Sequence, residues 1–86
     1  SYTFLIRPKT SVKNGQLKFK VIGEQTDYDL PIIQANFQNN NVEIKSIEKN
    51  KIHFNSINDS IDVLKLNVQI DYPEYCAMEV AVYENQ

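Results

Sequence analysis

Eighty-six residues with nine Lys and Arg against eleven Asp and Glu, a net charge of −2, are enough for one domain and one small core. Hydrophobic side chains make up 42% of the chain and charged ones 23%, which is too apolar for a disordered segment, and no apolar run approaches the roughly 18–20 residues of a membrane-spanning helix. The single cysteine excludes an internal disulfide, and two glycines, Gly15 and Gly23, are too few for a phosphate-cradling loop or a dinucleotide fingerprint.

The hydrophobic pattern has a period of two from end to end, the spacing of half-buried strands. Tyr2, Phe4 and Ile6 alternate in a first strand expected over 2–7. Asn14-Gly15 is the strongest short-range turn signal. It precedes a second strand over 16–23, in which Leu17, Phe19 and Val21 alternate with Lys18 and Lys20. Pro31 opens a third, over 31–38, where Ile33, Ala35 and Phe37 alternate with Gln34, Asn36 and Gln38. Proline at that point fits an edge or a strand start. Asn39, Asn40 and Asn41 follow, a residue type that tolerates positive φ better than most. Val42 and Ile44 mark a fourth strand over 42–48, and Lys49-Asn50 has the length of a two-residue hairpin loop. Ile52 and Phe54 mark a fifth over 51–57, ended by Asn58-Asp59. The clearest alternation, Leu64, Leu66, Val68 and Ile70 against Lys65, Asn67, Gln69 and Asp71, marks a sixth over 62–71. Tyr72-Pro73-Glu74-Tyr75 places proline where a turn wants its fixed φ. Met78, Val80 and Val82 close the chain in a seventh strand over 76–84.

One strand every 8–12 residues, with no capped helical stripe, implies an all-β fold: a seven-stranded antiparallel β-sandwich over residues 1–86. The expected core is Phe4, Ile6, Leu17, Phe19, Val21, Ile33, Phe37, Ile44, Phe54, Leu64, Leu66, Val68, Ile70, Val80 and Val82. The chain begins at Ser1 rather than Met, so we expect a domain cut from a longer protein or a chain that has lost a leader. A core without disulfide staples favours a reducing compartment such as the cytoplasm.

No catalytic, cofactor-binding or metal-binding residue is assigned. A zinc site needs several His and Cys ligands, and the chain has one of each, His53 and Cys76. His53 falls on the polar phase of its strand, and a lone cysteine is by default a small core residue. A Cys–His catalyst would also need a pocket for which a thin sandwich has little room. Asp27 with Asp29, Asp59 with Asp62, and Asp71 with Glu74 form acidic pairs in loops, but none belongs to an EF-hand loop, and Asp is common in turns. No tryptophan is present to stack on a sugar.

Charge is unevenly spread. The first twenty residues hold Arg7, Lys9, Lys13, Lys18 and Lys20 and no acid, while residues 57–86 hold Asp59, Asp62, Asp71, Glu74, Glu79 and Glu84 against Lys65. The simplest expectation is that the two ends lie close and neutralise each other on solvated faces. The basic cluster is the sole candidate for nucleic-acid binding, but Tyr2 and Phe4 share the phase of Ile6 and point to the core, and a pI near 5.2 is far from that of a basic binder. Strand addition at a free sheet edge is the remaining route to a partner, with the first strand and the "LPIIQANF" strand as candidates.

The segment Leu64 to Ala77 resembles the corner of immunoglobulin-like domains, a sandwich architecture shared with fibronectin type III domains. There, an alternating strand leads into Asp-x-Gly/Ala-x-Tyr-x-Cys. Here Leu64-x-Leu66-x-Val68 leads into Asp71-x-Pro73-x-Tyr75-x-Ala77. The resemblance implies an immunoglobulin-like or related topology, with Tyr75 as the corner tyrosine bonding the backbone upstream. Ala77 stands in place of the family's cysteine, Cys76 is one residue off, and the family's core tryptophan is absent. It covers about fourteen residues of the chain. A plain hairpin through Tyr72-Pro73-Glu74-Tyr75 is the rival. The functional expectation is a non-catalytic accessory or protein-interaction module of a larger protein, with no cofactor, binding other domains of its parent or another protein. A calcium-dependent surface or adhesion domain, and nucleic-acid binding through the basic N-terminal strands, are the alternatives.

Overall fold

The computed structural model describes residues 2–22, 32–70 and 78–84. They form seven strands: β1 (Tyr2–Ile6), β2 (Asn14–Val21), β3 (Ile32–Phe37), β4 (Val42–Glu48), β5 (Lys51–Ser56), β6 (Leu64–Ile70) and β7 (Met78–Glu84). All seven expected strands are present. No helix long and apolar enough to cross a membrane occurs among the described residues.

The strands divide into two antiparallel sheets, one in the order β1-β6-β3 and the other in the order β4-β5-β2-β7. Their inner faces share one apolar core, so the arrangement is sandwich-like. Lateral position decides burial. In the central strands β2, β5 and β6, the inward residues Leu17, Phe19, Ile52, Phe54, Leu64 and Leu66 are fully buried. In the edge strands, Tyr2, Phe4, Ile6, Phe37, Ile44, Val80 and Val82 are only partly covered. Each fully buried large apolar side chain contributes about 1.5–3 kcal/mol. Tilted ring contacts tie the sheets together, Phe4 to Phe19 at 5.5 Å and Phe37 to Phe54 at 5.8 Å. Outside the strands, Val12 and Ile61 exchange backbone hydrogen bonds of 3.0 and 2.7 Å and are both buried. Neither belongs to an alternating run, so the sequence pattern did not point to them.

Ile33, expected in the core, is 60% exposed. A bulge between Ile32, opposite Ile70, and Gln34, opposite Gln69, makes Ile33 the extra residue and turns it outward. Ile32 takes the inner position, and Ala35 and Phe37 keep theirs. The side chain of Val21, also expected in the core, lies outside the described set.

Asn14-Gly15 is not a turn. Both residues lie in β2, and Gly15 pairs with Phe54 on one side and Glu84 on the other. The need for glycine is steric: a Cβ there would overlap the Tyr83 carbonyl oxygen, with the Tyr83 carbonyl carbon at 3.2 Å and the Glu84 Cα at 3.3 Å. Asn39 to Asn41 do not supply positive φ either. Among the described non-glycine residues only Lys49 has it, at 54°. Asn39 uses its carboxamide instead, donating to the Val63 carbonyl at 2.9 Å and accepting from the Lys65 amide at 2.8 Å. It thereby extends the β3–β6 ladder by one polar unit.

Lys49-Asn50 is the two-residue hairpin loop that the sequence indicates, closed by the pair Glu48 and Lys51. A β carbon at positive φ costs about 1–2 kcal/mol. Lys49→Gly is therefore expected to raise stability by about 0.5–1 kcal/mol after glycine's own entropic cost, read as a higher urea midpoint. No gain would mean that the loop carries no such strain. Asn50 is 4% exposed. Its Nδ2 donates to the Phe19 carbonyl at 2.8 Å, and its carbonyl accepts from the Phe19 amide at 2.9 Å. One residue thus satisfies both polar groups of Phe19 beyond the last β2–β5 pair. Asn50→Ala should cost about 1–3 kcal/mol, because the buried Phe19 carbonyl is left unpaired. A loss below about 0.5 kcal/mol in urea unfolding would show that water replaces the amide.

β6 and β7 lie in different sheets, β6 between β1 and β3, β7 beside β2. The hairpin between them is thereby excluded. Tyr75 and the rest of the corner motif lie outside the described residues. Numbered in chain order, an immunoglobulin constant-type sandwich groups strands one, two, five and four in one sheet and three, six and seven in the other. Here β4-β5-β2 and β6-β3 are neighbours as in that order, but β1 lies beside β6 and β7 beside β2, so the constant-type order is not reproduced.

Candidate interaction site

Among the described residues, four strands lie at the edge of a sheet: β1 and β3 in one, β4 and β7 in the other. The first strand and the "LPIIQANF" strand, the two candidates for strand addition, are thus both edges. A free edge exposes unpaired N–H and C=O groups, and proteins blunt it with bulges, charges or cover. β3 has the bulge at Ile33. β4 has a bulge between Ile44 and Ser46, with Glu43, Lys45 and Glu48 along it. β7 carries Glu79 and Glu84. β1, Tyr-Thr-Phe-Leu-Ile, has a regular register against β6, no bulge and no charge. Pro8, which has no N–H to donate, follows shortly after its end.

Beside this edge lies a cleft of about 510 Å³. It opens where β1 of one sheet meets β7 of the other. Ile6, Val80 and Val82 supply apolar walls, Val12 closes one end, and Arg7, Lys9 and Glu84 stand at the rim. Arg7, Lys9 and Glu84 are exposed. Among the described residues neither Arg7 nor Lys9 makes an ion pair within 4.0 Å. The local balance is two cations against one carboxylate. Alternation made Ile6, Val80 and Val82 legible as inward residues, but only the sheet order brings them to one cleft.

The outer faces are of another kind. On the three-stranded sheet a shallow hollow of about 180 Å³ is lined by Gln34, Asn36, Asn67 and Gln69, and Thr3 Oγ1 donates to Asn67 Oδ1 at 2.9 Å. On the four-stranded sheet a smaller hollow of about 140 Å³ lies over Lys18, Lys20, Glu79, Ala81 and Tyr83. There Lys20 Nζ sits 3.7 Å from Glu79 Oε2, so the basic start and acidic end of the chain do meet across β2 and β7. The basic cluster itself is split: Lys18 and Lys20 face out from β2, while Arg7 and Lys9 stand at the cleft. Tyr2 and Phe4 stack at 6.1 Å and pack on the core, so neither forms an aromatic platform for those cations, and the ring that stands beside Lys18 and Lys20 is that of Tyr83.

His53 faces outward from β5, with Nε2 3.6 Å from Glu48 Oε2. Cys76 lies outside the described residues, as do Asp27, Asp29, Asp71 and Glu74. Asp59 and Asp62 are exposed, and among the described residues no three His, Cys, Asp or Glu side chains group as a metal would require. Comparison with protein-family models, curated proteins and solved structures returned no match.

Proposed function

We propose that the domain is a non-catalytic interaction module, a sandwich related to the immunoglobulin-like class but with β1 beside β6 and β7 beside β2, that receives a partner segment along β1. The observation behind this is the coincidence of the one described edge that lacks both bulge and charge with the apolar cleft at Ile6, Val80 and Val82. Strand addition draws affinity from main-chain hydrogen bonds and selectivity from alternate side chains, and β1 with its cleft offers both. The partner is another domain of the same protein or a different protein. A display library of random extended peptides, selected against the isotope-labelled domain, tests the proposal. Selected peptides should shift the amide resonances of Tyr2 to Ile6 and of Val80 and Val82. Binders that shift only Lys18, Lys20 and Tyr83, or only the Asn36–Asn67 face, would overturn it.

A further inference from the structure

We propose that the cleft between β1 and β7 binds a free single-chain anionic amphiphile, a carboxylate or phosphate on an alkyl tail, with the tail between the sheets and the head on Arg7 and Lys9. The ligand occupies the space between the two sheets and needs no hydrogen bond from β1, so the inference goes beyond strand addition.

Walls and rim differ in kind. Ile6, Val80 and Val82 belong to the inward rows of two edge strands, where the core is only partly covered. Pro8 and the buried Val12 continue the apolar wall in the segment after β1. None of these five side chains can hydrogen-bond water, so an alkyl tail displaces it favourably, by about fourfold in affinity for each methylene fully buried. A volume of about 510 Å³ falls within the range of small-ligand sites. Arg7, Lys9 and Thr10 follow closely where β1 ends and supply two cations and a hydroxyl donor. Glu84 lines the same cleft, yet among the described residues neither Arg7 nor Lys9 makes an ion pair within 4.0 Å. An anionic head is the complementary choice, and a guanidinium suits the paired oxygens of a carboxylate or phosphate. The two outer hollows lack this combination. Over the four-stranded sheet, Lys20 already sits 3.7 Å from Glu79. Over the three-stranded sheet, the lining is carboxamides and Val68, without a cation.

The test titrates decanoate, kept below its micelle concentration, into the isotope-labelled full chain. Butyrate carries the same head with a short tail, and decyltrimethylammonium carries the same tail with the opposite charge. Decanoate should shift the methyl signals of Ile6, Val12, Val80 and Val82 and bind about tenfold more tightly than either control. The double variant Arg7→Gln, Lys9→Gln changes exposed side chains only. It should weaken decanoate about tenfold, the sum expected of two exposed charge pairs, and level the two decyl probes. Decyltrimethylammonium binding the unaltered chain as tightly as decanoate would overturn the proposal, because the cations would then select nothing. Butyrate or inorganic phosphate binding as tightly would reveal an anion site without a tail and overturn it as well. So would shifts centred on Lys18, Lys20 and Tyr83, no shift at millimolar decanoate, or binding to vesicles of anionic phospholipid without any response to free decanoate. Each of these leaves strand addition standing, since that reading is decided separately by the response of the β1 amides to extended peptides.

Discussion

Phe19→Ala is expected to lower stability by about 3–5 kcal/mol, the range for truncating a buried aromatic. Phe19 has no exposed surface and lies in β2, paired with Val80 of β7 and hydrogen-bonded to Asn50 of the β4–β5 loop. Its ring meets Phe4 of the opposite sheet at 5.5 Å, so its loss opens a cavity between the sheets rather than a dent at the rim. A domain of this size has about 5–10 kcal/mol in all. The variant should therefore unfold at a much lower urea midpoint, with a substantial unfolded fraction at 37 °C. Leu5→Ala is the control: Leu5 is 58% exposed and should change stability by no more than about 0.5 kcal/mol. If both variants behaved alike, the inward and outward faces of the sandwich would be wrongly assigned.

Gly15→Ala should destabilise by about 1–3 kcal/mol, toward the upper end because the obstacle is main chain and cannot rotate away. The new methyl group would collide with the Tyr83 carbonyl, and β7 would have to part from β2 at that point. Hydrogen exchange should accordingly speed up at Val82 to Glu84 before it does so in β5. The sign of the effect discriminates on its own, because glycine to alanine at an open strand position stabilises by about 0.4–1 kcal/mol through the unfolded chain. A rise in urea midpoint would show that β7 does not lie against Gly15.

Gly15 also shows where local pattern misleads. Asn-Gly is a turn signal because glycine and asparagine adopt positive φ readily, but glycine is equally demanded wherever another backbone comes too close for a β carbon. The neighbour here is Tyr83, sixty-eight positions away in sequence, and no local pattern contains it. Ile32-Ile33 fails for a related reason. Two adjacent isoleucines are compatible with either phase, and the bulge opposite Ile70 and Gln69 decided between them. Asn39 was legible as a turn residue, but its carboxamide acts on Val63 and Lys65, in β6 and its approach.

The alternation of apolar and polar residues determined, by itself, the all-β class, the strand boundaries to within about two residues, and most of the core, because a half-buried strand must carry its apolar residues on one face. It also marked β1 and β3 as candidate receiving strands. Which strands are neighbours was decided only in the folded molecule. Periodicity is a property of one strand, whereas pairing depends on long-range contacts between strands such as β1 and β6, or β2 and β7. The placement of β1 beside β6 and of β7 beside β2 follows from those contacts. So does the cleft that gathers Ile6, Arg7, Lys9, Val80 and Val82, residues from opposite ends of the chain that no spacing in the sequence connects.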